Sequence, residues 1–329
     1  MQRRPDLIYY PDTEPGIRRS RRGRGFSYTA PDGTRIDDTF ERKRIEALAV
    51  PPAYQDVWIC PKTNGYLQAT GRDDRQRKQY RYHQDWTEYR AMLKFDHLAE
   101  FGAFLPKIRR SILDGLKHDP GDREYAIAAV LALVDRVSMR VGNADYAREN
   151  GTYGATTLQD RHIELDDGQI TFRYTAKGGQ KVRKTLRDST LNRTLSRLDD
   201  LPGKTLASWC DRSGTPHSVS SDAINAKLLD LTGHPSMTAK TFRTWNGSVA
   251  ALDVAMSLEQ PTIQKLAEAA SKHLQNSQAI ARQSYIHPDV IDFAGLPYRQ
   301  RQKLAKGAEP VRGLRATEAQ LLKLLGNVG

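Results

Sequence analysis

The sequence predicts an α+β fold, with a small β-rich N-terminal domain and a mainly α-helical second domain that contains an inserted three-stranded antiparallel sheet. Two changes of hydrophobic period support this prediction. Short alternating runs occupy the chain up to about residue 88, helical spacing begins near Trp86, and alternation returns briefly after Gly154. With 329 residues the chain is long enough for two domains, which we place at 1–88 and 89–329.

Turn residues mark two hairpins and a helix in the N-terminal domain. The runs 26–36 and 57–71 alternate around Pro31-Asp32-Gly33 and Asn64-Gly65, and each predicts a β-hairpin. The segment 38–48 ends before a Pro-Pro pair and predicts a short helix. We expect these elements to form one small β-rich domain.

A buried helix begins the second half of the chain. The stretch 124–140 is apolar nearly all round, which predicts a core helix that ends at Arg140, just before Gly142. Alternating runs then predict three antiparallel strands. They span 157–165, 170–175 and 181–186. Lys177 lies at the second turn, beside Gly178-Gly179, and the tail after Pro288 is expected to form surface helices.

The composition favours a polyanionic partner. The chain carries 51 Lys and Arg against 39 Asp and Glu, a net charge of +12, and neutralising phosphates with such cations releases condensed counterions. Cys60 and Cys210 show neither a CxxC nor a Cys/His spacing, so neither a disulfide framework nor a structural zinc site is expected. No apolar run approaches the roughly 18 residues of a membrane span, and the N-terminus lacks a signal-peptide core, so we expect a cytoplasmic protein.

Four residues, taken together, could catalyse phosphoryl transfer on DNA. A phosphodiester repels nucleophiles by its own charge, so a catalyst must neutralise the non-bridging oxygens and protonate the departing sugar oxygen. Arg140 and Arg243 could supply the charge, because guanidinium groups grip phosphates through two parallel hydrogen bonds. Lys177 could supply the proton and Tyr285 the nucleophile, activated by the nearby cations.

Each of these residues also has an ordinary structural explanation. Arg140 could be a cation that satisfies the end of the core helix, and Lys177 an exposed hairpin lysine. Arg243 and Lys240 could form a solvated basic face, because they lie opposite an apolar stripe of the same helix. That stripe comprises Phe242, Trp245, Val249, Leu252 and Met256. Tyr285 could be a structural amphipath near the end of a short helix.

The order and surroundings of these residues resemble the bacterial and poxvirus-type DNA topoisomerase IB family. The resemblance covers most of the chain and rests on the motifs GRDDRQRKQYRYH, RVGNADYARENGTYGATTL, AKGGQK, KTFRTW and SYIHP, in the family's order. It implies that the arginine of R-x-G-N, the hairpin lysine, the arginine of K-x-x-R and the late tyrosine are catalytic. They correspond to Arg140, Lys177, Arg243 and Tyr285, and Lys240 would be an additional phosphate contact.

One position departs from the family pattern. Poxvirus and eukaryotic relatives have a histidine nine residues before the tyrosine, where this chain has Asn276. An amide can donate a hydrogen bond to a non-bridging oxygen but carries no charge. Asn276 could equally cap the helix that leads to Tyr285, and both interpretations stay open at this point. His273 lies nearby in a different register.

The segment 75–83 interleaves cations with tyrosines. Its alternation predicts a strand that presents Tyr80 and Tyr82 on one face, and the resemblance implies that this segment contacts DNA. The alternative is an edge strand kept soluble by its charges. Tyr146, on the helix after the R-x-G-N motif, resembles a position that approaches the major groove. The candidate DNA-binding residues are Lys240, Arg77, Lys78, Gln79, Tyr80, Tyr82 and Tyr146.

The resemblance implies a monomeric two-domain clamp that closes around duplex DNA, with a nucleoid-associated location. Tyr285 would form a DNA 3′-phosphotyrosine, the free end would rotate to release positive or negative supercoils, and religation would need no ATP or metal. The sequence has neither a GxxxxGK[ST] loop nor an acidic cluster with metal-ligand spacing, so we expect no cofactor. A tyrosine recombinase is one alternative, although such enzymes commonly have H-x-x-R in place of Lys240-Thr-Phe-Arg243. A non-catalytic architectural protein that binds DNA or RNA is another.

Overall fold

The computed structural model describes residues 5–199 and 201–326, without the side chains of residues 91, 92, 94 and 304. The chain forms two compact units, Met1–Leu93 and Lys94–Gly329, and none of the described helices is long and apolar enough to cross a membrane. The first elements are β1 (Ile17–Arg22), β2 (Gly25–Thr29), α1 (Thr39–Ala47), β3 (Gln55–Ile59), β4 (Leu67–Arg72), β5 (Lys78–Tyr82) and α2 (Gln84–Asp96). The later elements are α3 (Leu98–Gly115), α4 (Arg123–Val137), α5 (Ala144–Asn150), β6 (Ile163–Asp166), β7 (Gln169–Ala176), β8 (Gln180–Arg187), α6 (Ser189–Asp199), β9 (Ser208–Cys210), β10 (Pro216–Ser218), α7 (Ser221–Thr232), α8 (Ala239–Ser257), α9 (Ile263–Leu274), α10 (Gln278–Tyr285), α11 (Pro288–Ala294), α12 (Tyr298–Lys306) and α13 (Ala316–Gly326). The predicted α+β class is confirmed.

The N-terminal unit contains an antiparallel sheet in the order β2-β1-β3-β4-β5. Strands β3 and β4 confirm the hairpin predicted at 57–71. The hairpin predicted at 26–36 is confirmed in a short form, because an antiparallel bridge joins Thr29 to Arg35 and Ile36 N donates to the Tyr28 carbonyl at 2.9 Å. The sequence analysis missed the longer pairing of β2 with β1. Strand β1 escaped prediction because its sequence is mostly arginine, and Ile17 is its one buried residue.

A small apolar core lies between this sheet and α1. It comprises Ile17, Tyr28, Ile45, Val57, Ile59 and Ala69. Helix α1 confirms the helix predicted at 38–48 and begins after Asp38, whose side chain accepts a hydrogen bond from the backbone of Glu41. Arg19 of β1 donates to the carbonyl oxygens of Val50 and Pro51 and so ties the segment before β3 to the sheet.

Helix α4 is the predicted core helix of the second unit, but it ends earlier than expected. Most of its residues are buried, and it ends where Ser138 takes a left-handed conformation with a φ of 58°. Met139, which follows, is also buried, so the apolar pattern continues past the end of the helix. The prediction that Arg140 ends this helix is therefore wrong, and Arg140 lies in the irregular segment between α4 and α5.

Strands β6, β7 and β8 form the predicted three-stranded antiparallel sheet, in that order. Lys177, Gly178 and Gly179 form the turn between β7 and β8, and both glycines have positive φ, 84° and 76°. Glycine adopts this conformation without steric strain, which explains the pair. The first strand begins at Ile163 rather than at residue 157, because Asp160–His162 forms a 3-10 turn.

Helix α8 packs against α3, α4, α9, α10, α11 and α13 and so lies at the centre of the second unit. Of the tail helices that the sequence predicted at the surface, α12 is mostly exposed, whereas α13 is largely covered. Arg301 of α12 is 1% exposed and donates to the carbonyl oxygens of Ala255 and Leu258 at the end of α8. Glu318 of α13 is fully buried and accepts two hydrogen bonds from Arg109 of α3. These charged residues suggested exposure in the sequence, but each is paired in the folded chain.

Candidate active site

Arg243 on α8 is the centre of the candidate site, and it is buried rather than solvated. Its side chain is 3% exposed. Its two terminal nitrogens donate to the backbone carbonyl of Ser138 and, at 3.0 Å, to that of Leu274. The prediction of a shared exposed face is therefore wrong for Arg243, whereas Lys240 is exposed. The segments after α4 and at the end of α9 cover the face of α8 that its own sequence marks as polar.

Polar side chains hold the turn that precedes Arg140. Ser138 Oγ accepts a hydrogen bond from Asn246 Nδ2 at 2.9 Å and lies 3.0 Å from His273 Nε2. Asn246 also donates to the carbonyl of Asp135 at 2.9 Å. These contacts join the end of α4 to α8 and α9. Arg140 therefore follows a turn whose position is fixed by two neighbouring helices.

The backbone of Arg140 is also fixed from the other side. Its carbonyl accepts a hydrogen bond from the backbone of Ala155 at 2.8 Å. Gly154 is needed for this approach, because a Cβ there would lie 2.5 Å from the Arg140 carbonyl oxygen. The guanidinium is half-buried, and its charge acts on both Arg243 and Tyr285.

Tyr285 is the last residue of α10, as the sequence predicted, and its backbone packs against α8. Ser248 Oγ donates to its carbonyl at 3.3 Å, and a Cβ on Gly247 would lie 2.6 Å from the same oxygen. The Arg243 guanidinium lies over the phenol ring, 5.1 Å from its centroid. Gly247 and Ser248 thus hold the backbone from which the phenol extends. The sequence analysis missed them, although a Gly-Ser pair inside an apolar helix is a signal of close packing.

Neighbouring cations lower the pKa of the Tyr285 phenol. Burial by itself would raise this pKa, but Arg243, followed by Arg140 and Lys240, more than offsets the effect, and the pKa lies below its ordinary value of 10.0. A lowered pKa increases the fraction of nucleophilic phenolate at neutral pH. Tyr174 on β7 shows the opposite balance, because burial raises its pKa despite the charges of the same two arginines.

Asn276 lies between α9 and α10 and is 7% exposed. The helix-cap interpretation is wrong, because Ser277 caps α10 by accepting a hydrogen bond from the backbone of Ile280 at 3.3 Å. Neither amide atom of Asn276 has a hydrogen-bond partner among the described residues. A buried polar group without a partner costs about 1–3 kcal/mol of stability. Such a group needs an explanation, and a role in binding a ligand is one.

Lys177 stands apart from these residues. It is exposed at the tip of the β7–β8 hairpin, where the sequence predicted it. Within residues 5–199 and 201–326, we find no hydrogen bond or ion pair that joins it to Tyr285 or to the arginines. The structure thus brings Arg140, Arg243 and Tyr285 together. The position of Lys177 is set only by the turn that carries it.

A second lysine, which the sequence analysis missed, lies beside the cluster. Lys184 on β8 donates from Nζ to the carbonyl oxygens of Val137 and His273, at 2.7 and 3.1 Å. Burial, together with the charge of Arg243, lowers its pKa to about 8. The alternation of β8 gives no sign of this residue, because the elements that cover it are distant in sequence.

The candidate DNA-binding strand β5 is exposed, and its tyrosines share one face as predicted. The rings of Tyr80 and Tyr82 stack with their centroids 6.1 Å apart. Lys78 Nζ lies 5.7 Å from the Tyr80 ring and forms an ion pair with Asp12 at 2.5 Å. The strand therefore presents aromatic rings and cations together on one accessible surface.

The remaining candidate DNA contacts are fixed by local hydrogen bonds. Arg77 and Gln79 both bind the carboxylate of Asp73, at 2.7 and 3.0 Å. Asn143, the last residue of the R-x-G-N motif, caps α5 by accepting a hydrogen bond from the backbone of Tyr146 at 3.0 Å. Tyr146 is 50% exposed on this helix, as its predicted position implied. The motif that contains Arg140 thus also orients the helix of Tyr146.

Two family models match the chain. The model of the bacterial DNA topoisomerase IB N-terminal domain matches residues 25–73. The model of the eukaryotic DNA topoisomerase I catalytic core matches residues 80–285. The chain belongs to the type IB DNA topoisomerase family. It is accordingly an enzyme of the isomerase class, and its family acts on DNA.

Viral type IB topoisomerases are similar over most of the chain. The DNA topoisomerase 1B of Acanthamoeba polyphaga mimivirus is 28% identical over 286 residues, which cover 82% of this chain and 85% of the relative. The DNA topoisomerase I of Monkeypox virus is 22% identical over 264 residues, 78% of this chain and 83% of the relative. The DNA topoisomerase 1B of Vaccinia virus (strain Copenhagen) is 23% identical over 145 residues, 43% of this chain and 46% of the relative.

Membership of the type IB topoisomerase family agrees with the resemblance in the motifs. The matched catalytic core ends at residue 285 and contains the five candidate catalytic residues. These are Arg140, Lys177, Arg243, Asn276 and Tyr285. A tyrosine recombinase or an architectural protein would not be expected to match topoisomerase models in both parts of the chain, so the matches favour the topoisomerase over both alternatives.

Proposed function

We propose that this topoisomerase relaxes positive and negative supercoils by cutting one DNA strand, letting the free end rotate and rejoining the strand. Tyr285 attacks the phosphodiester and forms a DNA 3′-phosphotyrosine. The observation that carries the proposal is the Tyr285 phenol beneath Arg243, with its pKa lowered by three cations. Positive charge at this point acts twice, because it favours the phenolate and then stabilises the charged transition state.

Arg140, Arg243 and Asn276 hydrogen-bond the non-bridging oxygens of the attacked phosphate. Arg243 Nε and the Asn276 amide are without hydrogen-bond partners among the described residues, so both have donor capacity to offer. Hydrogen bonds to a charged phosphate are about twice as strong as those between neutral groups. The bound phosphate thus gives the Asn276 amide the hydrogen-bond partner that it otherwise lacks.

Tyr285 and Arg243 must be uncovered before a phosphodiester can reach them. They are 8% and 3% exposed, and the terminal nitrogens of Arg243 are bound to backbone carbonyls. A phosphate is a stronger acceptor than a neutral carbonyl, so bound DNA competes for the guanidinium and releases the phenol from beneath it. We therefore expect the nucleophile to be protected until DNA is bound.

Lys177 is the general acid that protonates the departing 5′ oxygen. Its turn contains two glycines and is exposed, so the ammonium group is free to approach a phosphodiester bound beside the hairpin. General acids of this kind contribute roughly 10²- to 10⁴-fold to a rate. Religation reverses the same steps. No ATP is needed, because one phosphodiester is exchanged for another. No metal is needed, because the two arginines neutralise the phosphate and Lys177 supplies the proton.

The enzyme acts as a monomer and clamps duplex DNA between its two domains. The N-terminal domain, up to about residue 88, contributes the exposed strand β5 with its stacked tyrosines, and Tyr146 and Lys240 contribute from the catalytic domain. Cations of each domain neutralise backbone phosphates, so binding weakens as salt rises. The tyrosines contribute stacking and hydroxyl contacts to bases or phosphates.

Substitution of the nucleophile tests the proposal. Tyr285→Phe should abolish plasmid relaxation and the covalent protein–DNA adduct on a denaturing gel, while DNA binding survives. Tyr298→Phe is a matched control, because Arg301 lies over the Tyr298 ring at 5.4 Å in the same way, but outside the site. This control should relax plasmid at the wild-type rate. Both assays are run with chelator and without ATP.

Three results would overturn the proposal. Relaxation by Tyr285→Phe would mean that another residue attacks the DNA. A strict divalent-ion requirement would contradict the metal-free mechanism. Activity only on paired recombination sites would favour the tyrosine recombinase alternative. Identification of the DNA-linked peptide by mass spectrometry assigns the nucleophile independently of the substitution.

A further inference from the structure

We propose that His97, Glu100 and His234 form a binding site for Zn²⁺ or a similar transition-metal ion, separate from the residues proposed for DNA cleavage. His97 Nδ1 lies 3.2 Å from Glu100 Oε2, and His234 Nε2 lies 3.6 Å from the same oxygen. The three potential ligand atoms all lie within 4.8 Å of one another. Two imidazoles and one carboxylate are a ligand set that Zn²⁺ uses in proteins.

Two of the separations between these atoms match the edges of a zinc coordination tetrahedron. Zinc–ligand distances of about 2.0–2.2 Å place neighbouring tetrahedral ligands about 3.3–3.6 Å apart. The two separations measured from Glu100 Oε2, 3.2 and 3.6 Å, are close to that range. An ion at the centre therefore needs small side-chain rotations rather than backbone movement. The ion binds the deprotonated nitrogen of each imidazole, so a proton carried on either of these nitrogens is released on binding.

The backbone that carries the ligands is already held in position. His97 is the N-cap residue of α3, Glu100 lies in its first turn, and His234 follows the left-handed end of α7. Lys107 of α3 donates from Nζ to the carbonyl of Leu231 at 2.7 Å, which ties the end of α7 to α3. A site that is organised before binding loses less conformational entropy when the ion enters.

The three ligands leave room for a water molecule as fourth ligand. The side chains of His97, Glu100 and His234 are 43%, 50% and 40% exposed, so one face of the cluster is open to solvent. The bound ion would connect the start of α3 to the turn before α8. Because it binds the folded chain, it stabilises that state by mass action. The proposal does not depend on the mechanism of DNA cleavage.

Titration of the full chain with Zn²⁺ in a non-chelating buffer tests the site. Calorimetry should give one ion per chain, and thermal unfolding should shift upward by several degrees when zinc is in excess over its dissociation constant. His97→Ala, His234→Ala and Glu100→Gln should each weaken binding at least about tenfold. Co²⁺ in place of Zn²⁺ should give the visible absorption of a four-coordinate ion, which each variant loses.

His118→Ala is the matched control, because His118 is an exposed histidine 3.7 Å from Asp122 in the same unit. It should bind zinc as the wild type does. The unfolding midpoint of each variant without metal shows whether it is folded. No zinc binding by the wild type, undiminished binding by the three variants, or equal loss in His118→Ala would overturn the proposal.

Discussion

Strand β5 and the α8–α10 cluster both place cations beside tyrosines, but in opposite environments. On β5, Tyr80 and Tyr82 are 49% and 45% exposed, and Lys78 pairs with the carboxylate of Asp12. On α8, Arg243 is 3% exposed and is bound to backbone carbonyls. Exposed charges are screened by salt, and each contributes little binding free energy. A buried guanidinium, in contrast, is fixed in position. The exposed surface is thus suited to affinity and the buried cluster to catalysis.

The largest expected effect comes from the buried arginine. Arg243→Ala should slow strand cleavage by about 10²- to 10³-fold, because it removes the proposed donor to the phosphate and the cation above Tyr285. Lys240→Ala, on the exposed turn of the same helix, should change the rate by less than about tenfold. Single-turnover cleavage at saturating DNA measures both. The contrast between buried and exposed cations fails if the two variants are equally slow.

Arg243→Ala also leaves the carbonyls of Ser138 and Leu274 without their donor, which costs about 1–3 kcal/mol for each group. Arg243→Lys is therefore a second variant that keeps a charge at the site but not the two-pronged contact. The free energy of unfolding of both variants shows how much of the loss is structural. A slow but fully folded Arg243→Lys variant would sharpen the case for a geometric role.

Acid should affect the buried cluster next. Burial lowers the pKa of His273 to about 4, and the charges of Lys184, Arg315 and Arg243 add to the effect. Because this pKa lies below the ordinary value of 6.5, the unfolded chain binds the proton more readily. The stability contributed is fully present above pH 6.5 and is lost as the pH falls through about 4. The loss amounts to about 3 kcal/mol.

Urea unfolding between pH 7 and 4 measures this effect. His273→Gln, which cannot titrate, should show a shallower fall in the free energy of unfolding than the wild type. His217→Gln, at an exposed histidine beside Asp211, should keep the wild-type dependence. Equal pH dependence in wild type and His273→Gln would show that the buried cluster is not the acid-sensitive region.

The smallest effects are expected on β5. Tyr80→Ala should weaken DNA binding by about 3- to 10-fold without changing its salt dependence, because the ring contributes contact rather than charge. Lys78→Ala should lower the slope of log affinity against log salt by about one. Lys43→Ala, at an exposed lysine of α1, is the comparison for nonspecific charge loss. A fall in cleavage rate at saturating DNA in Tyr80→Ala would give β5 a catalytic role and remove the contrast.

Elements whose signals are local could be predicted from the sequence. The β7–β8 turn follows from Gly178-Gly179, which adopt the positive φ that such a turn requires. Helix α1 follows from the segment 38–48, which ends before a Pro-Pro pair. The alternation of side chains along a strand likewise predicted that Tyr80 and Tyr82 share one face of β5. The fold class depends on such signals and was predictable.

Features that depend on distant partners could not be predicted. Arg243 has the spacing of an exposed residue, and its burial comes from Ser138 and Leu274, which lie 105 and 31 residues away in the chain. Lys184 is covered in the same way. Taken singly, each candidate catalytic residue also had an ordinary structural explanation. Only the family motifs distinguished these residues from others of the same type. Gly247 and Ser248 belong to no such motif, so their contact with Tyr285 appears only in the structure.

The end of α8 depends on residues that are synthesised after the proposed nucleophile. Arg301 binds the carbonyl of Ala255 at that end, and Glu318 is buried in an ion pair with α3. When the ribosome adds Tyr285, it has already made Arg243 and every other candidate catalytic residue. Arg301, which binds the carbonyls at the end of α8, has not yet been synthesised at that point. The order of translation therefore separates the synthesis of the catalytic residues from the completion of the packing that holds them.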